Sequence, residues 1–154
     1  MTDIGDSIPH CALTRPDGSS MSAADFEGQP WVLYFYPKDD TTGCTKEAQE
    51  FSAQLAAFQD AGVQVLGVSK DPPKKHLKFI EKYGLTVPLA SDAETDGLAE
   101  AMGVWIEKSM YGKKYMGMDR STFLVGKDGK VAKVWRKVKV AGHVDEVLAA
   151  AQAL

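Results

Sequence analysis

The sequence contains few cysteines and few histidines, and this excludes several kinds of site. Its 154 residues include two cysteines and three histidines. Two cysteines cannot build a fold that depends on several disulfides. The three histidines are His10, His76 and His143, and they are too far apart for the short spacing of ordinary zinc ligands. We therefore expect neither a metal site nor a structural disulfide.

The chain also lacks a long apolar run and a strong excess of charge. No run approaches the roughly 20 apolar residues of a membrane-spanning helix. The first ten residues, MTDIGDSIPH, have neither the basic nor the apolar part of a signal peptide. The net charge is −3, from 18 basic and 21 acidic side chains, which argues against nucleic acid as a main partner. These absences predict a cytoplasmic protein with no membrane or nucleic-acid partner.

What remains is the composition of a soluble globular protein. Hydrophobic residues make up 44% of the chain and charged residues 25%, which are ordinary values for this class. The length suits one domain with a substantial core. Because the sequence contains no internal repeat, linker or low-complexity tract, we expect residues 1–154 to form a single domain.

The hydrophobic pattern switches repeatedly between the period of a strand and that of a helix. It predicts strands at 11–14, 31–36, 63–69, 88–91, 121–125 and 131–135, and helices at about 42–60, 74–84, 96–102 and 142–151. The stretch SMYGKKYMGMDR is irregular and contains glycine, so it is predicted to be a loop. Buried strands that alternate with helices predict a three-layer α/β fold with a mixed central sheet.

Cys44 lies beyond the strand predicted at 31–36, at the start of the following helix. Sites in such sheets gather beyond the carboxyl ends of the strands. Thr41 is a suitable N-cap residue, which would make Thr42, Gly43 and Cys44 the first helical residues. The free N–H groups and the dipole of the first turn favour the thiolate, which is the nucleophilic form of cysteine. Gly43 would let a small substrate approach the backbone closely.

Position alone leaves other interpretations of the thiols open. Cysteine is among the most buried residue types, and most cysteines are inert. Cys11 lies in a short predicted strand with no helix start beside it, so we expect a structural role for it. A thiol–disulfide oxidoreductase would need a second thiol three residues after Cys44, where the chain has Glu47. A cysteine hydrolase would need an oriented histidine near Cys44 as a base.

A longer pattern around Cys44 resembles a known family. Pro37, Thr41 and Cys44 form P-x-x-x-T-x-x-C within YFYPKDDTTGCTKEAQEF, and RSTFLV follows downstream. These segments resemble the peroxiredoxins, in particular the bacterioferritin comigratory protein or PrxQ subgroup, and the likeness covers nearly the whole chain. The resemblance implies a thioredoxin-like fold with an N-terminal extension. It also implies that the protein reduces hydrogen peroxide and organic hydroperoxides without any cofactor or metal.

The resemblance also implies roles for individual residues. Cys44 would be the peroxidatic nucleophile, and the Thr41 hydroxyl would hydrogen-bond the sulfur or the peroxide. Pro37 would shield the site from bulk water, and Arg120 would be the active-site arginine. Negative charge grows on the departing oxygen when the O–O bond breaks, and fixed donors aimed at it lower the barrier. Arg120 suits this task because it is permanently charged, and the backbone N–H of Gly43 or Cys44 could add a second donor.

The chain departs from the subgroup at two positions. Thr42 stands where the family commonly has proline, and Gln49 stands where many relatives have a second, resolving cysteine. The helix predicted at 74–84, where other relatives carry that thiol, has no cysteine. Cys11 is the one other thiol, and a disulfide requires Cα atoms within about 7 Å, so we do not expect it to act as the resolving cysteine.

These departures predict a one-cysteine mechanism. Cys44 would become a sulfenic acid that an external thiol reduces: thioredoxin, glutaredoxin with glutathione, or a small thiol. The alternative is a peroxide sensor or holdase that uses Cys44 as a redox switch. A monomer or weak homodimer is expected, in which Trp105 and residues 111–115 would line a contact between copies or cap the pocket.

Overall fold

The structure is a computed structural model, and it describes residues 1–93 and 96–154. In chain order its elements are β1 (Leu13–Thr14), β2 (Ser20–Met21), a 3-10 turn (Ala23–Phe26), β3 (Trp31–Phe35), α1 (Thr42–Asp60), β4 (Gln64–Ser69), α2 (Pro73–Tyr83), β5 (Leu89–Ser91), α3 (Leu98–Met102), β6 (Trp105–Met110), β7 (Lys113–Met118), β8 (Ser121–Val125), β9 (Val131–Trp135) and α4 (His143–Gln152). Among these described residues, no helix is both long enough and apolar enough to cross a membrane.

Seven of the nine described strands form a mixed sheet in the order β2-β1-β5-β4-β3-β8-β9, and β6 and β7 form a separate two-stranded sheet. The central strands β3, β4 and β5 are parallel, whereas β8 runs antiparallel to β3. The predicted α/β fold with a mixed central sheet is thus confirmed. α1 begins just beyond the carboxyl end of β3, so the first turn of this helix lies at the edge of the sheet where sites are expected.

The core divides into two hydrophobic clusters on opposite faces of the sheet. Trp31, Leu33 and Phe35 of β3 pack into one cluster, and the residues between them pack into the other, because successive strand residues point to opposite faces. The second cluster, which we call the helical face, contains buried residues of α1, α2 and α4. The first cluster contains α3 and the N-terminal segment. The resulting three layers leave β3 fully covered, which explains its continuous apolar sequence.

The stretch predicted to be a loop is instead a hairpin. β6 and β7 pair antiparallel from Trp105↔Met118 to Met110↔Lys113. Tyr111 and Gly112 form the two-residue connection with φ of 51° and 77°, the geometry that tight hairpins favour. Most of the hairpin is exposed. No face of it is therefore consistently apolar, and the alternation that reveals a half-buried strand is missing.

Candidate active site

Cys44 lies in the first turn of α1, on the side of the helix that packs against the sheet. Thr41 has the extended backbone of an N-cap residue (φ −97°, ψ 157°), and α1 begins at Thr42. Cys44 is therefore the third helical residue, as predicted. Its side chain belongs to the helical face and is only 2% exposed. Cys44 is thus nearly enclosed, although it lies at the end of a helix.

Arg120 contacts the sulfur of Cys44 directly. Its Nη2 donates to Sγ across 3.2 Å, although the two residues are 76 positions apart in sequence. The pairing of β8 with β3 explains this contact, because Ser121 lies opposite Phe35 at the carboxyl end of β3. Arg120 precedes Ser121 and so reaches the start of α1. The structure thus brings together two of the residues predicted to form the site.

The guanidinium is largely buried and remains positively charged. The Arg120 side chain is 16% exposed. Burial lowers the pKa of Arg120, but attraction to Glu47 and to Cys44 raises it more, so that pKa lies above its ordinary value. A fixed cation at hydrogen-bond distance of the sulfur can stabilise negative charge that develops there, and charge-assisted hydrogen bonds are the strong ones.

Glu47 is a third member of the site, and the sequence analysis did not identify it. It lies three residues after Cys44 and therefore on the same face of α1. Its side chain is fully buried, and Oε1 accepts a hydrogen bond from Arg120 Nη1 at 2.7 Å. Oε2 has no hydrogen-bond partner among the residues that the structure describes. Glu47 therefore fixes one edge of the guanidinium while the other edge faces the sulfur.

The environment of Glu47 makes it titrate near neutral pH. Burial raises the pKa of this carboxyl from 4.5 to about 7, although Arg120 opposes the rise. The folded state therefore holds a proton that the unfolded state releases between these two values. Stability that is fully present below pH 4.5 is then lost as the pH rises through about 7.

We expect Glu47→Gln to flatten this part of the pH profile. In the wild type, this group should lower the free energy of unfolding by up to about 3 kcal/mol as the pH rises from 4.5 to 7. The amide cannot ionise, but it keeps an oxygen for Arg120. Urea unfolding at pH 5 and pH 8 measures the difference, with Glu50→Gln as the matched control on the same helix. Equal pH dependence in the wild type and Glu47→Gln would contradict the assignment.

Gly43 makes room for the arginine rather than merely for a substrate. A Cβ built at this position would lie 3.2 Å from Arg120 Nη2 and 3.9 Å from Val140 Cγ2. Contacts of 3.2 Å are tighter than Cβ atoms normally make, so a side chain here would press on the guanidinium. Because Gly43 has no side chain, the Arg120 guanidinium can lie close to the backbone of α1 and contact the sulfur of Cys44.

Thr41 and Pro37 lie in the segment that leads from β3 into α1. Thr41 is exposed, and its hydroxyl donates to the carbonyl oxygen of Lys38 at 2.8 Å instead of accepting a hydrogen bond from the helix start. Thr41 is thus the N-cap residue by position, as predicted, but its side chain makes no capping hydrogen bond. Because the Thr41 proton is already used, its oxygen can offer a lone pair to a donor such as a hydroperoxide O–H. Pro37 is half-buried just after Tyr36.

The two cysteines lie on opposite faces of the sheet. Both are free thiols. Cys11 precedes β1, is half-buried and packs against the cluster that contains α3, whereas Cys44 belongs to the helical face. A bond between them would require one of them to cross the central sheet.

The described residues give Cys44 no histidine as a hydrogen-bond partner. His143 Nε2 lies 2.8 Å from Thr122 Oγ1, and burial lowers the pKa of this histidine to about 4. His76 is buried against Asp39. The base that a cysteine hydrolase requires is therefore missing from the contacts of the sulfur. Within residues 1–93 and 96–154, no group of three or more His, Cys, Asp or Glu side chains could hold a metal ion.

Comparisons with known proteins agree on one family. The model of the AhpC/TSA family matches residues 4–134. Peroxiredoxin Bcp of Bacillus subtilis is 46% identical over 146 residues, which cover 95% of this chain and 92% of the relative. Peroxiredoxin Bcp of Escherichia coli K12 is 42% identical over 144 residues, which cover 94% and 92% of the two chains.

Solved structures of relatives have the same fold. Peroxiredoxin Q of Xanthomonas campestris superposes with a TM-score of 0.87 at 47% identity, covering 92% of this chain and 89% of the other. A variant of PrxQ from Xylella fastidiosa superposes with a TM-score of 0.92 at 40% identity, covering 99% and 97% of the two chains. The thioredoxin-like arrangement expected from the sequence is therefore confirmed.

Proposed function

This chain belongs to the AhpC/TSA family as a peroxiredoxin, a thiol-dependent peroxidase, and we propose that Cys44 is its peroxidatic residue. In this proposal Arg120 activates Cys44, and an external thiol regenerates it. The observation that carries this proposal is the 3.2 Å contact between Arg120 Nη2 and Cys44 Sγ. The same guanidinium is held by a buried carboxylate, so its direction is fixed before a substrate arrives. Such preorganised charge is the most effective way to stabilise developing negative charge.

In the first half-reaction the thiolate attacks the terminal oxygen of a hydroperoxide. A sulfur–oxygen bond forms, the O–O bond breaks, and the departing alkoxide or hydroxide takes a proton from water. The products are the sulfenic acid of Cys44 and an alcohol or water. Arg120 faces the charge that develops between the sulfur and the departing oxygen. The Thr41 oxygen is free to accept a hydrogen bond from the peroxide O–H, which would orient the substrate, and Pro37 would limit the access of water.

The second half-reaction needs a thiol from outside the chain. An incoming thiol displaces water from the sulfenic acid to form a mixed disulfide, and a second thiol releases Cys44 as a thiol again. Gln49 and α2 offer no sulfur, and Cys11 lies across the sheet. Thioredoxin, glutaredoxin with glutathione, and a small thiol are the candidate reductants.

A panel of reductants tests the whole proposal. We expect the protein to consume many equivalents of hydrogen peroxide per chain with dithiothreitol, and with at least one of thioredoxin or glutaredoxin plus glutathione. A peroxide sensor would instead consume a single equivalent per Cys44, whichever thiol is supplied. Peroxide loss measured at substoichiometric protein separates these outcomes, and consumption that stops at one equivalent with every reductant would contradict the proposal.

The proposed setting is the cytoplasm, with the protein acting as a monomer or weak homodimer. Both cysteines are free, which suits a compartment that keeps thiols reduced. Four exposed apolar side chains lie on the β6–β7 hairpin, namely Met110, Tyr111, Tyr115 and Met116. They would form the contact between copies in a weak homodimer.

A further inference from the structure

A buried group of polar side chains holds the segment between β3 and α1. Asp39 in this segment is 2% exposed. Its Oδ1 accepts a hydrogen bond from the hydroxyl of Tyr36 at 2.6 Å, and its Oδ2 lies 2.6 Å from Nδ1 of His76 in α2. The side chains of Asp39 and His76 are both fully buried. We call these two residues the Asp39–His76 pair.

Both ring nitrogens of His76 have a polar partner. Nδ1 faces the carboxyl group of Asp39, and Nε2 lies 3.1 Å from the carbonyl oxygen of Ala90. The Asp39–His76 pair therefore connects the segment before α1 to both α2 and β5 through side-chain contacts in the interior of the protein.

The backbone of the same segment is tied to the end of β4. The N–H of Asp39 donates to Asp71 Oδ2 at 2.8 Å. The hydroxyl of Ser69 donates to the same oxygen at 2.8 Å, and Lys75 lies 3.2 Å from Asp71 Oδ1. Asp39 is therefore bound through its side chain and its main chain to neighbours that are themselves held in place.

Asp40, the next residue, also contacts α2, and its backbone is strained. Asp40 has φ +61°, a conformation that costs free energy for a residue with a side chain. Lys82 lies 2.8 Å from its Oδ2, and the hydroxyl of Tyr83 bonds its Oδ1. Thr41 follows immediately. The chain thus enters the active site from a left-handed turn that contacts from α2 hold in place.

Stability alone is a poor reason for the Asp39–His76 pair. Removing polar side chains from water costs free energy, and apolar residues of similar volume often replace a buried polar pair without loss of stability. An apolar pair could not supply the directional hydrogen bonds that Asp39 makes with Tyr36 and His76. They fix Asp39 between Pro37 and Thr41, two residues away from each, where a shift of about 1 Å can reduce a reaction rate 100-fold.

We propose that Asp39 and His76 are positioning residues of the peroxide site. They hold the segment so that Pro37 covers the sulfur and the Thr41 oxygen faces the substrate. This inference rests on the proposed function of Cys44. α2 carries no thiol in this chain, so it does not have to move towards an oxidised Cys44. Its contacts with Asp39 and Asp40 can therefore be kept throughout the reaction cycle.

The double variant Asp39→Leu/His76→Leu separates positioning from stability. We expect its urea midpoint to stay close to that of the wild type, whereas the second-order rate of Cys44 oxidation by hydrogen peroxide falls at least tenfold. Rapid mixing with tryptophan fluorescence detection measures that rate. His10→Leu/Glu27→Leu is the matched control, because it removes an exposed histidine–carboxylate pair and should leave the rate unchanged. A double variant that folds and keeps the wild-type rate would overturn the proposal.

A milder variant decides the question if the double variant does not fold. Asp39→Asn keeps the size of the side chain but has one oxygen where the carboxyl group has two, so the contacts with Tyr36 and His76 cannot both be made by an oxygen, and we expect about a threefold lower rate. Unchanged oxidation kinetics in Asp39→Asn would then overturn the inference.

Amide hydrogen exchange of residues 38–44 distinguishes failure of this inference from failure of the proposed function. Exchange should accelerate in the folded variants whether or not the chain consumes peroxide. If the wild-type chain shows no peroxide turnover, the proposed function is wrong. If amide exchange of residues 38–44 in the folded variants is the same as in the wild type, the positioning role is wrong.

Discussion

Replacing Cys44 with serine is expected to abolish peroxide turnover. The hydroxyl is nearly isosteric with the thiol but does not ionise near neutral pH, so no nucleophile remains beside Arg120. The side chain is 2% exposed, and the small change in volume should leave the fold intact. Peroxide consumption with dithiothreitol measures the effect, and circular dichroism confirms that the variant is folded.

Cys11→Ala is the matched control for this experiment. It removes the other thiol, which packs on the opposite face of the sheet, and turnover should remain at the wild-type level. Two results together would show that the one-cysteine mechanism is wrong. They are loss of thioredoxin-dependent turnover in Cys11→Ala, and a Cys11–Cys44 disulfide in peroxide-treated wild type, detected by mass spectrometry.

Replacing Arg120 with lysine is expected to lower the rate of Cys44 oxidation by about 100- to 1,000-fold, the usual effect of removing a donor aimed at developing charge. The guanidinium donates to Cys44 with one nitrogen and to Glu47 with the other. A single ammonium group has no planar fork and cannot keep both contacts in this geometry. We therefore expect that the positive charge of lysine alone does not sustain the rate of Cys44 oxidation. The second-order rate constant for the reaction with hydrogen peroxide measures this decrease.

Arg15→Lys is the control for this substitution, because Arg15 is a partly exposed arginine that pairs with Asp25 and lies outside the site. It should react with peroxide like the wild type. A rate for Arg120→Lys within threefold of the wild-type rate would show that a positive charge near the sulfur suffices. The fixed direction of the guanidinium would then play no part in the reaction.

Local sequence patterns predicted much of the frame around the site. The helix expected at 42–60 has the bounds Thr42–Asp60 in the structure, because Gly62 and the strong apolar spacing define it without help from distant residues. The runs at 31–36 and 121–125 are the paired strands β3 and β8. These two strands place Arg120 beside Cys44, but the strand assignments alone did not show that the strands pair, and the family resemblance was what indicated Arg120.

Local sequence patterns could not predict which distant residues are in contact. Glu47 resembles any helical glutamate in the sequence, and only its burial against Arg120 distinguishes it. Thr41 is the N-cap residue as predicted, but its hydroxyl bonds the carbonyl oxygen of Lys38 and makes no hydrogen bond to the helix start, a choice of partner that residue type does not reveal. Asp39 and His76 are 37 positions apart. The C-x-x-E spacing was the one local signal that could have pointed to Glu47.

The central sheet separates the two thiols, because Cys11 and Cys44 pack on its opposite faces. In the proposed mechanism, Cys11 therefore cannot reduce an oxidised Cys44. Each molecule would then have to meet a reduced external thiol after every peroxide that it consumes. Its throughput in a stressed cell would then follow the concentration of that donor rather than any motion of the protein itself.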